Sequence, residues 1–151
     1  MITMEWFMGD ENLADAHYIR RKVFVEEQQI SESDEYDGTD GSCVHLVVYD
    51  GGAPAGTGRI MITDKDFHIG RVAVLREHRG RGLGVLVMRV LIRAACGMGG
   101  ERQVLHSQVS AKGFYEKLSF KAVGEIFYEA GIPHIEMEHF GDICVKCEKE
   151  K

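Results

Sequence analysis

The sequence predicts a mixed α/β fold, one sheet with helices packed on it, and two observations carry that expectation. Strand-like apolar segments come first in hairpin pairs and later alternate with helical patterns. Between them, an apolar strand runs through an Arg/Gly-rich turn directly into a segment where Leu83, Leu86, Val87, Val90, Leu91 and Ala94 recur at i, i+3, i+4, i+7, i+8 and i+11. That is one continuous apolar helix face.

In chain order, Ile2–Met8 reads as the first strand, and Leu13–Gln28 as a helix presenting Ala16, Ile19, Val23 and Phe24 on one face. Ser31–Ser42 (SESDEYDGTDGS) is a loop by composition, with Asp and Gly supplying its turns. Its carboxylates Asp34, Glu35, Asp37 and Asp40 read as solvated, and carry the charge to attract a cation or form part of its pocket. Calcium is a poor alternative, because no Glu closes a twelve-residue loop. Val44–Tyr49 is a strand, Asp50-Gly51-Gly52 a hairpin turn, and Ala55–Thr63 the returning strand. Asp64-Lys65-Asp66 turns again into strand Phe67–Leu75, and the long helix then runs to Cys96. Gly97–Gly100 connects it to strand Val104–Val109, followed by a short helix around Tyr115. Phe120–Tyr128 and His134–Phe140 complete the sheet across a Gly131-Ile132-Pro133 turn. There is no internal repeat.

At 151 residues the chain makes one domain, residues 1–151, with about 141–151 a polar tail. Its 44% hydrophobic and 28% charged residues are ordinary for a globular protein, and a formal charge of −6 argues against nucleic acid or an anionic membrane as partner. Arg89 interrupts the apolar run Val85–Val90, which is too short to span a bilayer, and the N-terminus lacks the pattern of a signal peptide. A cytoplasmic location is the expectation. Cys43, Cys96, Cys144 and Cys147 are read as reduced thiols, with Cys96 in the core. Cys144-x-x-Cys147 has zinc-knuckle spacing but no second pair, so no metal is expected.

The turn before the long helix has the makings of an anion site. Unpaired amides of the first helical turn and the positive end of the helix dipole favour a phosphate, each such interaction contributing about 0.3–1 kcal/mol. Gly80, Gly82 and Gly84 leave the backbone uncovered, and Arg79 and Arg81 add charge. The spacing is neither of the two common glycine loops. No Gly-Lys-Ser/Thr occurs, and Val85 and Val87 stand where a dinucleotide fingerprint needs glycine.

Arg79-x-x-Gly82-x-Gly84, between a strand and a helix, resembles the pyrophosphate signature of the GNAT superfamily of acyl-CoA N-acyltransferases. A second segment, Gln108-x-x-Ala111-x-x-Phe114-Tyr115-Glu116-Lys117-Leu118-x-Phe120, is similar to that family's helix carrying a Tyr beside the thioester sulfur. Arg20-x-x-Val23-Phe24-Val25-x-Glu27-Gln28 and Gly131-Ile132-Pro133-His134-Ile135-Glu136-Met137 narrow the likeness to its ElaA-like branch, over about residues 3–140. Departures are Gln108 for the more usual Asn, Ser110 for His and Ser119 for Gly. Of these, Ser110 bears on which substrate is accepted.

The resemblance implies a mostly antiparallel twisted sheet of six to seven strands flanked by helices. It also implies N-acetyl transfer from acetyl-CoA to a primary amine of a small molecule, by direct transfer in a ternary complex and without a metal. Peptide acetylation and a non-catalytic acyl-CoA sensor are the alternatives, and a homodimer is left open. Arg79, Gly80, Arg81, Gly82, Leu83 and Gly84 would take the pyrophosphate, while the backbone of Val72, Ala73 and Val74 would pair with the pantetheine arm. An alkylamine of reference pKa near 10.4 is neutral in only about one molecule in a thousand at pH 7, so a base is required. His134 and Glu27 match the branch's motifs, with His45 and Glu136 as further candidates lining the acceptor site beside Arg20 and Gln28. Tyr115 would serve the leaving thiolate. Arg20 would meet a substrate anion, or form a salt bridge on its helix.

Overall fold

The structure, a computed structural model, describes residues 1–64 and 66–142. Residues 143–151 of the polar tail, with Cys144 and Cys147, lie outside the described residues, as does Lys65 at the centre of its predicted turn.

Seven strands form one sheet: β1 (Ile2–Met8), β2 (Cys43–Asp50), β3 (Ala53–Ile62), β4 (Phe67–Val74), β5 (Arg102–Gln108), β6 (Lys121–Glu129) and β7 (Ile132–Phe140). Their spatial order is β1-β2-β3-β4-β5-β7-β6, and every neighbouring pair is antiparallel except β4 with β5. The helices are α1 (Ala14–Arg20), which continues as a π-helical turn over Arg21–Glu27, then α2 (Glu32–Glu35), α3 (Leu83–Gly97) and α4 (Lys112–Glu116). The mixed, mostly antiparallel sheet is the one expected.

Side-chain alternation along the strands divides the core between two faces. Leu46, Val48, Ile60 and Ile69 pack with Val87, Leu91 and Ile92 of α3, while Val47, Ala73 and Leu75 pack with Ala16, Ile19 and Val23 on the α1 side. The α3 face of the sheet is flattened at Gly58, where an added Cβ would come within 2.6 Å of Leu91 Cδ1.

Two irregularities open the sheet at its centre. β3 and β4 shift register between Thr57 and Arg59, where β4 carries one extra residue and Arg71 adopts φ 51°. This bulge reverses side-chain parity, so Ile69 before it and Val72 and Val74 after it all face α3. β4 and β5 pair only at Phe67↔Gln103 and His68↔Val104. Beyond His68 they part, leaving the rest of the β4 edge without a strand on that side.

Local differences from the sequence expectation have physical causes. Gln28 N–H bonds to Val23 O, an i→i+5 step, so the predicted first helix ends in π geometry. The β6–β7 turn is Ala130-Gly131, both at positive φ, and Ile132 and Pro133 belong to β7. The acidic segment is not a solvated loop. Arg20, Arg59 and Arg71, from three separate elements, take up the carboxylates of Glu35, Asp37 and Asp40 in a closed ring, while Asp34 stays exposed and accepts from Ser31 Oγ. Arg20 Nε lies 2.5 Å from Glu35 and Arg71 Nε 3.0 Å from Glu35; Arg71 and Arg59 flank Asp37 at 3.4 and 3.9 Å; Arg59 and Arg20 meet Asp40 Oδ1 at 2.7 and 2.8 Å. Composition shows the acids, and only the fold supplies their partners.

Candidate active site

Where β4 and β5 part, a cavity of about 560 Å³ opens. β4 contributes His68, Ile69, Gly70, Arg71 and Val72; β5 contributes Leu105, His106 and Gln108. Tyr115 of α4 and His134 of β7 also line it, with Gln28 and the acidic segment on the α1 side and Glu129 and Ala130 at the β6–β7 turn.

The phosphate loop leads from β4 into α3. Gly82, at φ 77°, forms the N-terminal cap in a left-handed conformation that a β-carbon disfavours, and no side chain caps the helix. Leu86 N–H is the first to bond back, to Gly82 O, so the preceding amides of the turn have no helical partner. Gly84 has Phe114 Cζ 3.3 Å from where a Cβ would stand, which brings α3, α4 and Val74 of β4 together at one point. An anion-binding helix start next to an unpaired strand edge fits a ligand with a pyrophosphate at one end and an amide-bearing arm.

The loop's arginines are more occupied than expected. Arg79 donates from Nε to Val74 O at 2.9 Å and grips Glu27 with both terminal nitrogens, at 2.7 and 2.9 Å. Arg81 donates to Asp50 at 2.6 Å. Each positive charge is thus matched by a carboxylate, which leaves the loop's amides as its principal anion donors.

Tyr115 packs edge-on against Phe114 and Phe120. Burial pushes its phenol up to about 12, so it keeps its proton throughout the physiological range. His134 is buried, and its Nδ1 donates to Ile132 O at 2.7 Å. A carbonyl can only accept, so in the neutral ring the lone pair sits on Nε2.

Of the acceptor-side residues expected from sequence, Gln28, Tyr115 and His134 line this cavity. Four others stand elsewhere. Glu27 faces the phosphate loop, and the Arg79 hydrogen bonds hold its carboxyl below the usual range, which makes it a poorer base. Arg20 is 1% exposed and spent in the ion-pair ring, on carboxylates of the acidic segment rather than on its own helix. His45 is equally buried, with Nε2 donating to Asp40 O at 3.1 Å, and burial lowers its pKa. Glu136, on β7, lies 3.5 Å from His106 Nε2 and 3.8 Å from Arg102.

Arg59, Arg71, His68, His106 and Glu129 were not foreseen. His106 and Gln108 alternate on one face of β5, and Arg59 interrupts an apolar strand; those were the available signals. Asp40 shows the strength of the ring. Burial alone would raise its carboxyl, yet hydrogen bonds from Arg20, His17 and Arg59 overcome it and hold the group well below the usual carboxylate range. Among the described residues, no group of three His, Cys, Asp or Glu side chains is arranged to hold a metal ion. No helix there is long and apolar enough to cross a membrane.

Comparison with known proteins gives a consistent picture. Residues 11–139 match the acetyltransferase (GNAT) domain family. The uncharacterized N-acetyltransferase YjcF of Bacillus subtilis is 39% identical over 130 residues, covering 85% of this chain and 93% of YjcF. An acyl-CoA N-acyltransferase from Pseudomonas aeruginosa superposes with TM-score 0.81 at 28% identity, covering 92% of this chain and 99% of that one. Escherichia coli ElaA superposes with TM-score 0.78, also at 28% identity and the same coverage.

Proposed function

The chain belongs to the GNAT acetyltransferase family, a family of acyl-CoA-dependent acyltransferases, and from that premise we propose that it transfers an acetyl group from acetyl-CoA to a primary amine of a small molecule, directly within a ternary complex. The observation that carries this reading is the convergence on one cavity of the parted β4 edge, a neutral Tyr115 and a His134 whose tautomer leaves Nε2 as acceptor. Walls on opposite sides, from the acidic segment and the β6–β7 turn, favour a compact acceptor over an extended peptide.

When bound, acetyl-CoA supplies the thioester whose C–S bond is exchanged for the amide C–N bond. The amides at the start of α3 take the pyrophosphate, and the backbone edge of Val72–Val74, which no strand pairs and where Val74 O already accepts from Arg79 Nε, holds the arm. His134 Nε2 accepts a proton from the acceptor nitrogen, a role that contributes typically about 10²–10⁴-fold. Tyr115 donates a hydrogen bond to the departing sulfur. With the phenol at about 12 and a thiol near 8.5, complete proton transfer is uphill by about 5 kcal/mol, so donation without full transfer is its role.

The test is detection of acetylated product by mass spectrometry, from amino acids, amino sugars, polyamines and short peptides incubated with acetyl-CoA. Product from one small-molecule class is expected. Product from peptides alone would overturn the choice of acceptor. No product from protein that binds acetyl-CoA would favour a sensor.

A further inference from the structure

The mechanism above leaves Glu129 and His106 without a role. Glu129 ends β6, and the two-residue Ala130-Gly131 turn folds it back opposite Ile132. The same register sets Phe127 opposite His134. Phe127 stacks on the His134 ring with centroids 6.0 Å apart and meets His106 edge-on at 5.0 Å, which fixes both imidazoles at the cavity wall. Between them lies the Glu129 carboxylate. Its Oε1 accepts from His106 Nδ1 at 2.8 Å, while its Oε2 stands 4.0 Å from His134 Nε2.

Those two atoms are both acceptors, since the Nδ1 proton of His134 is committed to Ile132 O. At 4.0 Å they are too far apart to bond one another. A nitrogen donor set about 2.8 Å from each would point two N–H bonds at them with an angle of about 90°, which a tetrahedral ammonium can approach. Charge favours the same ligand. Arg20, Arg59 and Arg71 are balanced within their ring by Glu35, Asp37 and Asp40, whereas Glu129 stands outside it.

We propose that the acceptor docks as a primary ammonium ion between Glu129 Oε2 and His134 Nε2, with His106 holding the other carboxylate oxygen in place. This rests on the acetyltransferase reading. One N–H bond of the ammonium breaks, its electron pair stays on the nitrogen as the nucleophile, and the proton passes to His134 Nε2 and on to solvent. Glu129 selects aliphatic amines that are charged at neutral pH, and His106 is a positioning residue.

Glu129→Gln keeps the shape and removes the charge. Steady-state kinetics with a primary alkylamine and with an arylamine, neutral at pH 7, separate charge recognition from structural support. The alkylamine KM is expected to rise at least tenfold, with kcat and the acetyl-CoA KM within threefold and the arylamine KM unchanged. Glu129→Asp should recover part of the loss. An equal rise for both amines would assign Glu129 a structural role, and no rise for either would remove it from recognition; both overturn the proposal. Equilibrium binding of propylammonium to the protein with CoA needs no turnover, and is expected to weaken at least tenfold in Glu129→Gln. Equal binding overturns the docking site. Glu129-dependent binding without acetylated product from any amine would keep the docking site and reject the acetyltransferase reading.

Discussion

Tyr115 and His134 divide the proton chemistry between a group that keeps its proton and one that accepts it. With burial pushing the phenol up to about 12, Tyr115→Phe removes a hydrogen bond and no charge. Turnover should fall at least tenfold with the acetyl-CoA dissociation constant nearly unchanged, measured by initial rates and titration; unaltered turnover would exclude Tyr115. His134→Gln should lower kcat by about 10²-fold or more at pH 7. The deficit should shrink as pH rises, because more acceptor is already neutral, and a pH-independent deficit would argue against a base. Glu27→Gln separates this account from the sequence expectation. With its carboxylate on Arg79 rather than at the cavity, kcat and the amine KM should stay within threefold. A hundredfold loss of kcat would restore Glu27 as the base. Glu27 was singled out through its motif, but which way a helical side chain faces depends on helix register, and the π turn over Arg21–Glu27 sets that register late in the helix.

At the scale of elements, the phosphate loop and the Tyr115 helix form one mechanical unit joined at Gly84. Gly84→Val places methyl groups against Phe114, whose ring already lies 3.3 Å from the Cβ position. Displacing Phe114 displaces Tyr115 with it. Acetyl-CoA affinity and turnover should therefore both fall, by about tenfold each, whereas a loss confined to affinity would show that the two elements act separately. The start of α3 was legible because its signals are local: a six-residue apolar periodicity and glycines at fixed offsets. The bulge at Arg71 was not. It keeps residues of β4 on the α3 face past the point where β5 parts from it, which only the β3 register and the brief β4–β5 pairing at the start of β4 reveal.

For the whole molecule, what the sequence hid is what the sheet order assembles. β7 inserts between β5 and β6, so His106, Glu129 and His134 meet although 23 residues separate the first two. The acidic segment is likewise closed by arginines from α1, β3 and β4. The buried groups also set the response to pH. Burial lowers the pKa of both His45 and His139 below the ordinary value. The unfolded chain takes up protons on them near pH 6.5, while the folded protein does so only at lower pH. The stability they contribute at pH 7 is therefore lost as pH falls from 6.5 through their folded values, each unit of depression being worth up to about 1.4 kcal/mol. Asp40, held low, adds a second loss as pH falls below about 3.9 toward its folded value. Glu35, whose carboxyl burial raises, works the other way as pH falls, so the test is comparative: lowering the pH from 7 to 5 should reduce the urea midpoint more in the parent protein than in a His45→Gln, His139→Gln variant, and equal changes would contradict neutral burial of the two imidazoles. The central claim, direct transfer to an amine at the parting of β4 and β5, meets its most direct test in a single turnover. The protein is mixed with stoichiometric acetyl-CoA, with and without a reactive alkylamine, and intact protein and small molecules are weighed together by mass spectrometry. Acetyl on the amine, CoA released only when the amine is present and a protein mass that never changes are the predicted result. Acetylated protein with CoA released before any amine is added, or no acetylated amine at all, would contradict it.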